Sequence, residues 1–247
     1  MLESPVLAMQ QDIRTNLERV RERIARAAER AGRRADDVLL VGVSKTVDAA
    51  RIRAAVAAGL GALGENRVQE ARDKIAELGR PVAWHLVGHL QTNKVREALD
   101  LFDVVHSVDR IELARELDRR ARARGRPVDA LVQVNIAAEP SKGGWPPEAV
   151  ETAVEALTAL GGLRVRGLMT IPPAVDRAED ARGWFRALRK LAERHGLADL
   201  SMGMSGDFEV AVEEGATMVR VGTAIFGPRP PRIPGLSEVR YPQGGPA

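Results

Sequence analysis

The sequence predicts an α/β protein, a single (β/α)8 TIM-type barrel with an extra N-terminal helix. Three observations carry this reading. Eight apolar strand candidates alternate with helical patterns, and strand–helix–strand alternation makes neighbouring strands parallel. The strands are near-continuous aliphatic runs, as strands buried on both faces must be. Polar residues gather where the strands end, at the rim where a barrel carries its βα loops. A chain of 247 residues suits one such unit.

Taken in order, residues 1–8 form a lead-in. From Met9 to Ala31 the apolar positions Ile13, Leu17, Val20, Ile24, Ala27 and Ala31 recur in steps of three and four, one stripe of an amphipathic helix, with Gly32 as its C-cap. Strands are then expected at Val38–Val43, Gly61–Leu63, Ala83–Val87, Val104–Val108, Ala130–Ile136, Val165–Ile171, Leu200–Met204 and Met218–Val221. Helices fill the gaps at Asp48–Ala58, Arg67–Leu78, Asn93–Ala98, Arg110–Arg124, Pro147–Leu160, Asp176–Arg194 and Phe208–Glu214. No helix of useful length follows the eighth strand, so the N-terminal helix is expected to fill that place in the outer ring. The barrel unit thus spans 9–227, and the Pro/Gly-rich stretch 228–247 reads as a tail.

Aromatic residues make up only 3% of the chain, so the core must be aliphatic. The absence of cysteine excludes disulfides, thiolate catalysis and thiolate metal sites. The net charge of +3 is spread over helices of mixed sign, with no basic stripe of the kind that binds nucleic acid. No stretch has the length of a membrane span, and a cytoplasmic protein is expected. Polar helix exteriors favour a monomer.

The chemistry is expected at the strand ends. Lys45 ends the first strand; burial there would disfavour its ammonium form and make the amine a nucleophile. The ordinary alternative is a snorkelling strand-end lysine. Ser205-Gly206-Asp207 precedes a helix whose free N–H groups favour an anion, and Gly222-Thr223 adds N–H groups from the next loop. Plain N-capping by Ser205 and Asp207 is the competing reading. A lysine facing a phosphate cradle suggests a phosphorylated carbonyl compound held as a Schiff base, and pyridoxal 5′-phosphate (PLP) joins these features. Arg220 lies among valines, where a charge needs a partner. Donation to a pyridine nitrogen would keep that nitrogen unprotonated and weaken the ring as an electron sink; a salt bridge to a strand-end acid is the alternative. His85, His89 and His106 lack zinc-motif spacing and read as loop-ordering, and His195 reads as a helix C-terminal cap. No metal site is expected.

Motifs on successive strands carry a resemblance. Val43-Ser44-Lys45-Thr46, Gly64-Glu65-Asn66, Trp84 to Lys94, Val134-Asn135-Ile136 with Ser141-Lys142-Gly143, Gly167 to Pro172, Leu200 to Ser205 and Val219 to Gly227 are similar, in this order, to the pyridoxal phosphate homeostasis proteins, the YggS/PROSC-type PLP-binding barrels. The resemblance covers about residues 10–229. It implies a barrel like the N-terminal domain of alanine racemase. Lys45 would carry PLP as a Schiff base and Arg220 would face the pyridine nitrogen. Ser205, Gly222 and Thr223 would bind the phosphate, with Met204 close by and Asn66 near the ring. PLP-dependent apo-enzymes are the partners it suggests. Arg67 departs from the family pattern, which has an aromatic residue there, and Gly144-Trp145 makes the strand-five loop unusual.

Three functions compete: a PLP carrier serving vitamin B6 homeostasis without robust turnover, an amino-acid racemase, and a Schiff-base aldolase that does not use PLP. A two-base racemase of the related type takes its second acid/base, usually tyrosine, from a further β-domain. The single tyrosine, Tyr241, falls in the tail, and no second domain is expected. The carrier reading is therefore preferred.

Overall fold

The computed structural model describes residues 5–228. Eight parallel strands close in sequence order, β1 (Leu39–Val43), β2 (Ala62–Glu65), β3 (Ala83–Leu86), β4 (Val104–Val108), β5 (Val128–Gln133), β6 (Leu163–Met169), β7 (Asp199–Ser201) and β8 (Met218–Val221), with β8 pairing back onto β1. The helices between them are α2 (Ala49–Ala57), α3 (Val68–Leu78), α4 (Val95–Leu101), α5 (Ile111–Ala123), α6 (Val150–Thr158), α7 (Arg182–Arg194) and α8 (Phe208–Glu213), and a single turn, α9 (Thr223–Phe226), follows β8. The expected barrel is the observed fold.

The N-terminal helix α1 (Pro5–Arg30) begins four residues before its expected start, so positions 5–8 of the anticipated lead-in are helical. Its apolar stripe is buried as expected through Ala27, but Ala28 takes the last place instead of Ala31. The chain has left the helix by then through Gly32, which adopts a φ of 65°. The helix does fill the gap after β8. On one side Arg23 pairs with Glu209 at 2.7 Å and Asn16 donates to the Ile225 carbonyl; on the other Arg21 donates to the carbonyls of Ala58 and Gly59. The expected tail beyond Pro228 lies outside the described residues.

Strand boundaries shift for local reasons. β5 begins at Val128, earlier than expected, because Asp129 is neutralised inside the sheet by Arg164 at 2.5 Å and Arg166 at 3.2 Å. β7 is only three residues long, since the chain turns at Gly203 with a φ of 90°. Gly167 of β6 pairs with Asp199, and a β-carbon there would stand 1.8 Å from the Asp199 carbonyl oxygen. Gly167→Ala is expected to force β6 from β7 at a cost of about 3 kcal/mol, read as a lower urea midpoint. A change under about 0.5 kcal/mol would mean that the strands absorb the methyl group.

The main core fills the layer between helices and strands, with Trp84, Phe185 and Phe208 its largest wholly buried side chains. Leu131, Met169 and Met218 form a separate apolar cluster inside the barrel. The interior also holds buried polar groups: His85, His106, Ser201 and Arg220.

Candidate functional site

Lys45 stands in the turn after β1, half-buried. The next residue, Thr46, has a φ of 64°, a left-handed conformation uncommon for a β-branched residue. Such strain persists only where the surroundings impose it. Here they do. The Thr46 N–H donates to Glu70 Oε1 at 2.5 Å, and Lys74 Nζ donates to the Ser44 carbonyl at 2.5 Å, to Glu65 Oε1 at 2.6 Å and to Glu70 Oε1 at 2.7 Å. Ser44 Oγ donates to the same Glu65 oxygen at 2.7 Å. Helix α3 and the end of β2 thus grip the peptide groups on both sides of Lys45. Glu65 is wholly buried, its carboxyl is pushed up by burial despite Lys74, and its Oε2 has no hydrogen-bond partner.

The loops after β7 and β8 converge as expected. Ser205 Oγ accepts from the Gly222 N–H at 3.3 Å and the Ala224 N–H at 3.5 Å. These are long bonds from a set of backbone donors gathered at one point. Gly206 has open space where a side chain would be. Asp207 does not cap α8; its Oδ1 accepts from the Met204 N–H at 2.6 Å and ties the loop to itself. Met204 is exposed and Thr223 lies at the surface, whereas Gly222 is buried. Gly203 is required for this path: a β-carbon there would lie 2.5 Å from that of Ala211. Because β8 pairs with β1, the converging loops after β7 and β8 and the Lys45 turn occupy neighbouring positions on one rim.

Arg220 aligns with Val41 of β1, deeper in the barrel than Lys45. It forms no ion pair among the described residues. Its Nη1 donates to Ser201 Oγ at 2.6 Å and its Nη2 to the Thr170 carbonyl at 2.8 Å. Burial pushes its pKa down to about 10, with the negative charge of Asp207 opposing, so it stays protonated at neutral pH. The expected alternative of a buried salt bridge is not what the structure contains.

The histidines correct the sequence reading in part. His85 and His106 do not order loops; they lie within β3 and β4, with Nδ1 of His85 2.8 Å from Nε2 of His106. Nδ1 of His106 is in turn 2.8 Å from Ser201 Oγ. Burial drives both below the ordinary value of 6.5, His85 to about 4. His89 does serve a loop, pairing with Asp109 at 3.0 Å, and His195 is the C-cap of α7. Among the described residues no cluster of three or more His, Cys, Asp or Glu side chains could hold a metal ion, and no helix is long and apolar enough to cross a membrane.

Asn66 follows β2 and lines a cleft of about 630 Å³ with Arg67, Gln69, His89, Gln91 and Lys94. Arg67, the departure from the family pattern, therefore borders an opening next to Asn66. In the β5 loop, Asn135 Nδ2 donates to the Glu139 and Lys142 carbonyls, and Trp145 Nε1 donates to the Val108 carbonyl at 3.2 Å. Gly144, at a φ of 126°, lets the chain turn back so that Trp145 pairs beside Val134.

The closed parallel barrel places the chain in the alanine racemase N-terminal class, and the family model described as "Alanine racemase, N-terminal domain" matches residues 15–230. Within that class the chain belongs to the pyridoxal phosphate homeostasis protein family. It is 46% identical over 220 residues to the pyridoxal phosphate homeostasis protein of Aquifex aeolicus, covering 86% of this chain and 96% of that one. The protein of the same name from Escherichia coli is 43% identical over 227 residues, covering 88% and 97%. Among solved structures, PipY of Synechococcus elongatus with PLP bound superposes with a TM-score of 0.70 at 42% identity, covering 77% of this chain and 93% of that one. Alanine racemase of Clostridium difficile shares the fold at a TM-score of 0.68 and 16% identity, covering 90% of this chain and 58% of that one.

Proposed function

We propose that the chain binds PLP and serves intracellular PLP (vitamin B6) homeostasis, holding the cofactor as a Schiff base on Lys45 without robust catalysis of its own. The observation that carries this is the convergence of the Gly222 and Ala224 N–H groups on Ser205 Oγ, an anion cradle on the same rim as Lys45. When bound, PLP supplies an aldehyde that condenses with an amine and a ring that can take up electrons. Ser205, Gly222 and Thr223 would take the phosphate, with Met204 at the edge of the cradle and Asn66 near the ring. The strained turn at Thr46, held by Glu70, fixes the backbone that carries Lys45. Arg220 is a donor only, so an unprotonated ring nitrogen is its natural acceptor. A ring so held stabilises a carbanion poorly, which supports the carrier reading over a racemase. No tyrosine is present among the described residues to act as a second base. PLP-dependent apo-enzymes are the proposed recipients, residues 9–227 the PLP-binding unit, the cytoplasm its compartment and the monomer its working form; nucleic acid is not a partner.

Purified protein given PLP should develop a visible absorbance band, and borohydride should fix the cofactor to Lys45, read as a modified Lys45 peptide by mass spectrometry. Lys45→Ala should keep the far-ultraviolet circular dichroism and lose both signals. A modified peptide containing another lysine would refute the assignment. Exchange of the α-proton of alanine at enzymatic rates would restore the racemase reading.

A further inference from the structure

Behind Arg220 an unbroken line of buried side chains crosses the barrel. Arg220 on β8 reaches Ser201 on β7, Ser201 reaches His106 on β4, and His106 reaches His85 on β3, at 2.6, 2.8 and 2.8 Å. Strands β4 and β7 are not neighbours, so the middle link spans the lumen. None of these groups except Arg220 has a part in the proposed cofactor site.

The protons in this line can be ordered in two ways. Ser201 Oγ already accepts from Arg220, and His106 Nδ1 is the other side-chain group within hydrogen-bond distance of it. If His106 Nδ1 carried a proton, the Ser201 hydroxyl hydrogen would be left in a wholly buried site without a side-chain acceptor, an unfavourable outcome. If His106 is instead protonated on Nε2, Ser201 donates to Nδ1 and His106 donates to His85 Nδ1. Every bond then holds one proton, and each donor polarises the next.

We propose that His106 is a positioning residue, the neutral Nε2–H tautomer in a relay running Arg220 to Ser201 to His106 to His85, and that it fixes the Arg220 guanidinium for its ring-nitrogen partner. The inference about Arg220 rests on the proposed PLP site; the tautomer does not. Two of the five guanidinium N–H groups are committed, to Ser201 and to Thr170, so the plane cannot turn without breaking a buried bond.

The test has two readouts. Long-range ¹⁵N–¹H NMR of histidine-labelled protein without PLP should give His106 as neutral and protonated on Nε2; an Nδ1–H tautomer overturns the relay whether or not PLP binds. In PLP titrations followed by absorbance, His106→Phe and Ser201→Ala should each weaken binding about tenfold and shift the visible band, the scale of one lost hydrogen bond. His106→Asn, which keeps an acceptor near the Nδ1 position, should restore most of the affinity. Unchanged affinity and band in Ser201→Ala, or equal defects in the Phe and Asn variants, would reduce His106 to packing. Ser201→Ala also covers the case in which His106→Phe fails to fold.

Discussion

Lys74→Met is expected to cost about 3–5 kcal/mol of folding stability, the range found when one partner of a buried ion pair is removed. Lys74 has a side-chain exposure of 11% and Glu65 of 0%, so water cannot replace the lost ammonium. Glu65 would keep only the Ser44 hydroxyl on Oε1, and Oε2 already lacks a partner. The variant must then hold an uncompensated charge or bind a proton on Glu65. A second substitution separates this cause from lost packing. Glu65→Leu added to Lys74→Met should recover most of the stability, because an apolar pair of similar size is often neutral or better. Urea unfolding at about pH 7 measures both. A single-variant loss under about 1 kcal/mol would mean that the pair is effectively solvated. The effect extends to the site, since Lys74 also holds the Ser44 carbonyl and, through Glu70, the Thr46 N–H. Borohydride labelling of Lys45 should therefore slow in the variant while it is still folded.

The sequence made legible those features that repeat along the chain. Alternation of strand and helix gave the barrel, the stripe Ile13 to Ala27 gave α1, and the shortage of a helix after Val221 gave α1 its place in the ring. The approach of Ser205 to Gly222 was readable because loops after the last two strands of a barrel come together where the barrel closes. The Lys74–Glu65 pair and the relay were different. Glu65, His85, His106 and Ser201 stood out as polar residues at strand ends, but their partners are set by closure and not by spacing. Ser201 and His106 are 95 residues apart, and Lys74 reaches Ser44 across 30. The loop-ordering expectation for His85 and His106 fails for the same reason: a polar residue near a strand end suggests a loop, and only closure decides which side chains face the lumen. Asp129 shows the same limit at the opposite end of the strands, where Arg164 and Arg166 make it tolerable within β5.

The relay histidines also fix a pH response. His85 has a pKa of about 4 in the fold, against an ordinary value of 6.5, because burial opposes its charge. Above pH 6.5 it is neutral in both the folded and unfolded states and has no effect on the balance. As the pH falls, the unfolded chain takes up the proton first, so stability declines until the folded pKa is reached. A shift of this size corresponds to about 3 kcal/mol, lost between pH 6.5 and pH 4. His106, held well below its ordinary value by burial and by His85 and Arg220, acts in the same direction. The carboxylates lowered by arginines, such as Glu116 and Glu214, add their losses only below about pH 4.5, the unfolded glutamate range. Glu65, Asp199 and Asp207 are raised by burial and oppose the decline, because the folded chain takes up their protons first. The decisive measurement is therefore a difference. Urea midpoints from about pH 7 to pH 4.5 should fall more steeply in the native chain than in His85→Gln, and parallel curves would show that His85 takes up its proton without unfolding. If the steeper fall is found, acid removes the neutral imidazole that the relay ends on, so that fold stability and the hold on Arg220 weaken together.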